Sequence, residues 1–274
     1  MKRTRIMLST IIIGTMLGAC SQISDFEQPN LQPETTGSGE GQLRLALNAK
    51  TDFALTRALS ESSYRNTDNY TVIVTDKDGT EKMNCRGSEV ASKMPLTLSI
   101  GSYEVKAFYG TEHAASRNEM FVSGLVRGSI KADKEESINV VCTPTCGRIV
   151  VNFDDTMAEY YNDYFVTFTG TQALGTETIS WMKNDSEPWY VKLNEGGERI
   201  TFTITTTPKD EYINNAQQGD TKTGTFTLDR NKGYKMNISA NYTPTNLGNL
   251  SIKITVDEST NDIPVDIEIP IEWT

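Results

Sequence analysis

Residues 96–110, LTLSIGSYEVKAFYG, decide the fold. Apolar residues recur at every second position, Leu96 and Leu98 and then Tyr103, Val105, Ala107 and Tyr109, so each run turns one face to a core when the chain is extended. Gly101-Ser102 joins the two runs. The same texture continues on both sides. GQLRLALN (41–48) puts Leu43, Leu45 and Leu47 on one face, and YTVIVTDKDGTEK (70–82) is a strand entering Asp78-Gly79, a favoured hairpin turn because glycine adopts positive φ without steric cost. A second set follows: GRIVVNF (147–153), YFVTFTG (164–170), ERITFTITTTP (198–208), GTFTLDRNKGYKMNISANY (224–242), GNLSIKITV (248–256) and PVDIEIPIEW (264–273). These runs are rich in Thr, Val, Ile and Tyr and are separated by Gly, Asn and Asp. Helix is expected only as one short turn in DDTMAEYYNDY (154–164). The chain reads as all-β.

The two sets echo each other in order. Gly41-x-Leu-x-Leu-x-Leu corresponds to Gly147-x-Ile-x-Val-x-Phe, Tyr70-x-Val-x-Val to Tyr164-x-Val-x-Phe, and LTLSIGSYEVKA roughly to FTLDRNKGYKMNI. This order predicts two similar β-sandwich domains, 41–145 and 146–274, joined near CTPTC (142–146). Each is long enough to bury its own core.

Ahead of them, Lys2, Arg3 and Arg5 precede a mostly apolar run from Ile6 to Ala19. As helix that run covers about 21 Å, short of a hydrocarbon core of about 30 Å. A basic start, a short apolar core and small residues at its end describe an export signal over residues 1–19. Leu17-Gly18-Ala19-Cys20 resembles the lipobox of bacterial lipoproteins. That resemblance implies that Cys20 carries diacylglycerol, becomes the first residue after cleavage and is N-acylated, holding the protein on a membrane by its acyl chains. Residues 20–40, rich in Gln, Pro, Gly, Ser and Thr, read as a flexible tether. The expected location is the outer membrane, lipid-anchored and exposed at the cell surface, with a periplasm-facing arrangement as the alternative. Asp25 and Glu27 resemble the acidic export signals of Bacteroidetes surface lipoproteins. Cleavage removes three cations from 26 Lys and Arg set against 36 Asp and Glu, so the formal net charge moves from −10 to −13. An acidic chain of this kind disfavours nucleic acid and direct adhesion to anionic lipid.

TRA (56–58), YTVIVTDKDG (70–79), LSIGSYEVKAFYG (98–110) and INVVCTPTCGRIVVNF (138–153) together resemble a Bacteroidetes lipoprotein family defined by a domain of unknown function, of the 4493 type. That family is similar in layout to fimbrillins and fimbrial anchor proteins. The resemblance implies two tandem transthyretin-like (Ig-like) β-sandwich domains and a non-enzymatic structural, anchor or adhesin role, with other fimbrial subunits as partners through strand exchange. In fimbrillins a protease cuts after an Arg beyond the first strand, removing that strand and opening a groove for a strand of another subunit. Arg57 stands in the matching place; the alternative is one solvated Arg in a loop. At the other end, Pro264 and Pro270 cannot donate ladder hydrogen bonds, so PVDIEIPIEW is either an edge strand of its own domain or a strand donated to a neighbour.

Chemistry leaves few marks. With Cys20 assigned to lipid, Cys85, Cys142 and Cys146 predict one disulfide of undetermined pairing and one buried thiol. No metal site or cofactor is expected, because the single histidine, His113, lies away from the Cys142/Cys146 pair. Asp76 and Asp78 are explained by a hairpin turn rather than by calcium. Ser180 and Lys183 have the Ser-x-x-Lys spacing, but in a strand they point to opposite faces, and no Gly-x-Ser-x-Gly elbow accompanies His113. The reading is therefore not an enzyme. Trp181, Trp189 and Tyr190 offer an alternative function as a stacking platform for host or dietary glycans, as in a surface lipoprotein of a polysaccharide-utilisation system; a packed hairpin is the competing reading. Asp155-Thr156-Met157 resembles the acceptor pattern for O-glycosylation in Bacteroidetes, with Thr156 as the acceptor.

Overall fold

The computed structural model describes residues 39–52, 61–213, 221–243, 249–259 and 266–268. The chain is all-β, as its alternation predicts. The first seven strands of the main sheets are β1 (Glu40–Ala49), β2 (Thr71–Asp76), β3 (Glu81–Arg86), β4 (Leu96–Ser99), β5 (Gly101–Tyr109), β7 (Val122–Ile130) and β8 (Glu135–Pro144); β6 (Ala115–Ser116) lies elsewhere. Their order is β3-β2-β5-β7-β8-β1-β4. Only Val122↔Pro144 and Ser123↔Thr143 pair β7 with β8, so this is the corner at which four strands, β3-β2-β5-β7, turn over onto three, β8-β1-β4. Val72, Val74 and Val105 from the four share one core with Leu43 and Val140 from the three. At the corner, a Cβ on Gly124 would lie 2.5 Å from the Val141 carbonyl oxygen, so a side chain there would push the layers apart.

The Asp78-Gly79 hairpin is present: β2 and β3 pair antiparallel, and Gly79 has φ +78°. Leu96–Gly110 does form two strands, but not a hairpin. β4 pairs with β1 and β5 pairs with β2 and β7, so the chain crosses between layers at Ile100.

The later strands are β9 (Cys146–Phe153), β10 (Tyr161–Thr169), β11 (Ile179–Met182), β12 (Trp189–Lys192), β13 (Glu198–Pro208), β14 (Thr221–Leu228), β15 (Gly233–Thr243), β16 (Asn249–Ser259) and β17 (Asp266–Glu268). They form one sheet β11-β10-β13-β14 and a second sheet β17-β16-β15-β9-β12-β6. Phe168, Trp181, Phe202 and Ile204 of the first meet Ile149, Val191, Met236 and Ile254 of the second in a separate core. The short helix expected in DDTMAEYYNDY is α3 (Asp155–Tyr160); α1 (Glu61–Arg65) and α2 (Gly87–Lys93) are the other α-helices among the described residues. Asp154 caps α3 by accepting from the Thr156 amide.

Two of the three sequence echoes fall on corresponding strands, β1 with β9 and β2 with β10. The third does not. β15 runs parallel to β9 as β8 runs parallel to β1, so the topological counterpart of GYKMNI is the segment EESINV of β8 and not GSYEVKA of β5.

Candidate functional site

The candidate site is the seat of the opening strand, β1. It lies parallel to β8 over eight residue pairs, from Gln42↔Glu135 to Ala49↔Cys142, and antiparallel to β4 over four. Gly41 makes the close approach that seats it: an added Cβ would lie 2.3 Å from the Lys131 carbonyl oxygen, and next to it the Gln42 amide donates to the Lys134 carbonyl at 2.8 Å. Leu43 is fully buried, whereas Leu45 and Leu47 are only partly covered. Both line an open groove of about 370 Å³ with Val90, Ala91 and Met94 on its far side. The outward face is polar, with the Arg44 guanidinium 2.7 Å from Glu135 and the Asn48 amide donating to Asn139 at 2.7 Å. Exposed ion pairs of this kind contribute little to stability, so β1 is held mainly by its ladder bonds and by Leu43.

Cys20 and Arg57 lie outside the described residues, and so does the tail apart from Asp266–Glu268. Those three residues form an edge strand, antiparallel to β16, with Ile267 opposite Val256.

The cysteines depart from expectation. Cys85, Cys142 and Cys146 are all buried, and no disulfide joins them. The Cys142 thiol faces the sandwich interior, donates to the Ala107 carbonyl at 3.6 Å, and is pushed up to about 11 by burial. Burial also raises the Cys85 thiol. A thiol kept neutral in this way is a core residue and a poor nucleophile.

Trp181, Trp189 and Tyr190 are brought near one another but do not form an exposed platform. Trp181 is fully buried and Tyr190 is 2 % exposed. Trp181 stands in β11 and Trp189 in β12, strands of opposite sheets, so the competing hairpin is absent as well. Both indole N–H groups are used inside the protein, Trp181 donating to the Glu187 carbonyl at 2.8 Å and Trp189 to the Ser180 carbonyl at 3.3 Å. One partner escaped the sequence reading. The Arg117 guanidinium lies 4.7 Å from the Trp189 ring centre and 5.6 Å from that of Trp181, and covers both. Sixty-eight positions separate Arg117 from its ion-pair partner Asp185, and no local pattern announces such a contact.

Thr156 is partly buried, and its hydroxyl donates to Asp154 at 2.7 Å while accepting from the Ala240 amide at 3.1 Å. The Asp154 carboxyl is held below the usual range, first by the Thr156 hydroxyl and then by the Thr156 amide. His113 stands 3.3 Å from Glu119. Lys183 donates to the Asn162 carbonyl at 3.2 Å, away from any activated serine. Asp76 closes its hairpin turn by accepting from the Asp78 and Thr80 amides and pairing with Lys82. Among the described residues no group of three or more His, Cys, Asp or Glu is placed to hold a metal ion, and no helix is long and apolar enough to cross a membrane.

A strand-built protein with two sandwich cores and a half-covered opening strand is the class that these features define. Residues 39–271 match the family described as Domain of unknown function (DUF4493), and the chain belongs to that family. No curated protein matches it. Among solved structures it is similar to the fimbrial anchor protein Mfa2 from Porphyromonas gingivalis, at 12 % identity and a TM-score of 0.40 over 84 % of this chain and all of that one. It is also similar to a fimbrial assembly protein from Parabacteroides distasonis, at 12 % identity and a TM-score of 0.43 over 86 % of this chain and 99 % of that one.

Proposed function

We propose that the protein is a non-enzymatic surface lipoprotein, attached to the outer membrane through Cys20, which serves a fimbria-like assembly as a structural, anchor or adhesin component and works by strand pairing. Its parts are the signal peptide 1–19, the tether 20–40 and two transthyretin-like sandwich domains, 41–145 and 146–274. The observation that carries the reading is the seat of β1. The strand lies between β8 and β4, one layer thick, with only Leu43 fully buried, so its departure leaves a two-sided groove with ladder groups on both walls. A groove of this kind takes up an extended segment with alternating apolar residues, because main-chain hydrogen bonds supply affinity and the pocket of the buried leucine sets register. Arg57, eight residues past the end of β1, is where a cut would free the strand.

The test has two arms. Intact mass of protein taken from its native membrane should show the acylated Cys20 start, the Ala58 start, or both; any other N-terminus overturns the proposal. A chain lacking residues 40–52 should bind a synthetic peptide of residues 40–50 and recover the thermal stability of the full chain. Absence of binding, with the shortened chain folded, would remove strand exchange as the mechanism.

A further inference from the structure

The segment between β5 and β7 leaves the first sandwich and returns to it, and on the way it joins the second. Its middle, β6, extends the six-stranded sheet, with Ala115 opposite Val191 and Ser116 opposite Tyr190. The Lys192 amide donates to the Ala114 carbonyl at 3.0 Å, and the Lys192 ammonium stands 3.0 Å from Glu112. Arg117 comes next and every contact it makes is to the second set of strands. One terminal nitrogen donates to Asp185 at 3.0 Å and to the Glu187 carbonyl at 2.9 Å; the other donates to Asp185 at 2.6 Å and to the Ser180 carbonyl at 2.8 Å. The guanidinium also lies over both indole rings. The segment is then tied back to the first core, where the Met120 amide donates to the Tyr64 hydroxyl at 3.2 Å and the Thr145 amide to the Phe121 carbonyl at 3.0 Å.

A surface excursion of this length would ordinarily be left mobile, because ordering it costs conformational entropy. Here both ends are fixed in one core and the middle in the other. A planar fork that pairs bidentately with a carboxylate and stacks on aromatic faces is a contact only arginine can make.

We infer that residues 110–121 are a strap and that Arg117 is its buckle, locking the two sandwiches into a single cooperative body. This rests on the two-domain reading above. As a consequence, the second sandwich is held at a fixed orientation to the first, and a pull on either is borne by both. The described residues of the two sets group into one compact unit, as such a lock requires.

The experiment compares thermal unfolding of the purified chain by two probes. Trp181, Trp189 and Trp273 all follow residue 145, so tryptophan fluorescence follows the second sandwich, whereas far-ultraviolet circular dichroism follows both. In the unmodified chain the two curves should coincide, as they do for one cooperative unit. In Arg117→Ala they should separate by about 5 °C or more, and chymotrypsin should cut within 110–121 about tenfold faster. Should Arg117→Ala fail to fold, Arg117→Lys keeps the charge without the fork and should separate the curves by a smaller interval. If the curves are already separate in the unmodified chain and the variant leaves them so, the strap is overturned while two domains stand. If the variant moves both curves together, the two-domain reading falls and takes the strap with it.

Discussion

The two sets of strands are built to one plan and held to different degrees. The first orders its layers as β3-β2-β5-β7 and β8-β1-β4; the second orders them as β11-β10-β13-β14 and β15-β9-β12. In each, the opening strand runs parallel to the last of the seven and antiparallel to the fourth. Yet β9 is buried at five of its eight positions, whereas β1 is buried at two of ten. Topology is shared, so topology is not the cause. β9 has β16 beyond β15 and β6 beyond β12, whereas β1 has only the four-residue edge strand β4 on one side and β8 on the other. The corners differ as well. β7 stays paired to β8 across Gly124, and no such pairing joins β14 to β15, whose free side is taken instead by eleven residue pairs with β16. The depth at which a strand is held is thus set by what backs its neighbours, and the second set buries its opening strand more fully than the first.

Opposite substitutions at matched positions should break this comparison with the largest effect. Val151 of β9 and Leu45 of β1 occupy the same place in their echoes, but Val151 is 1 % exposed and Leu45 is half-covered. Val151→Asp buries a charge with no partner and should cost at least ~3 kcal/mol, enough to unfold the second set. Leu45→Asp can turn its carboxylate to water and should cost ~1 kcal/mol. Urea unfolding followed by fluorescence and circular dichroism measures both, and equal losses would mean that β1 is as deeply held as β9.

A smaller difference lies between the opening and second strands of each set. Both sets place a one-turn helix there, capped by an Asx side chain: Asn66 accepts from the Asp68 amide, and Asp154 accepts from the Thr156 amide. Only the second cap is tied onward to a strand, through the Thr156 hydroxyl and the Ala240 amide. Thr156→Ala should therefore cost ~1–2 kcal/mol and Asn66→Ala ~1 kcal/mol or less, read as shifts in melting temperature. The same hydroxyl is the proposed O-glycan acceptor. A sugar on it would remove the proton it donates to Asp154; a glycan mass on Thr156 in native protein would show that the acceptor is used, and Thr156→Ala protein should lack that mass.

Much of this plan was legible from residue order. Period-two alternation fixes which side chains face inward, and for that reason the all-β class, the Asp78-Gly79 hairpin and the paired echoes at 41–47 and 147–153 could be read directly. Alternation does not say which strand lies alongside which, because every strand offers the same two faces. The parallel pairs β1/β8 and β9/β15 were invisible for that reason, and the third echo was attached to β5 when its place is β8. Closeness in sequence misled at Trp181, Trp189 and Tyr190, where three aromatic residues within ten positions are divided between two sheets. Arg117, which joins their surroundings, is remote from all three. The cysteines were read from compartment chemistry, which permits a disulfide, whereas pairing depends on side-chain direction, which composition does not contain.

The smallest expected effect concerns a turn present in only one set. Asp76 accepts from Thr80 at 2.9 Å and from Asp78 at 3.0 Å, and Lys82 stands 2.9 Å from its other oxygen. Its carboxyl is held below the usual range, chiefly by the Lys82 hydrogen bond and then by the two amides. Because the folded value lies below the unfolded one, the contribution of Asp76 to stability is fully present above the ordinary carboxylate range and is lost as pH falls through the folded value. Asp76→Asn keeps one acceptor for the turn amides and removes the charge, so it should flatten the acid limb of the chain's stability. The ion pair with Lys82 is open to solvent, and added salt should reduce the same slope in the unmodified chain. Asp154 supplies the control, since its carboxyl is held low by a hydroxyl and an amide without a cation. An acid limb that is as steep in Asp76→Asn as in the unmodified chain would assign that slope to other carboxylates, and the Lys82 pair would then contribute nothing to the difference between the two sets.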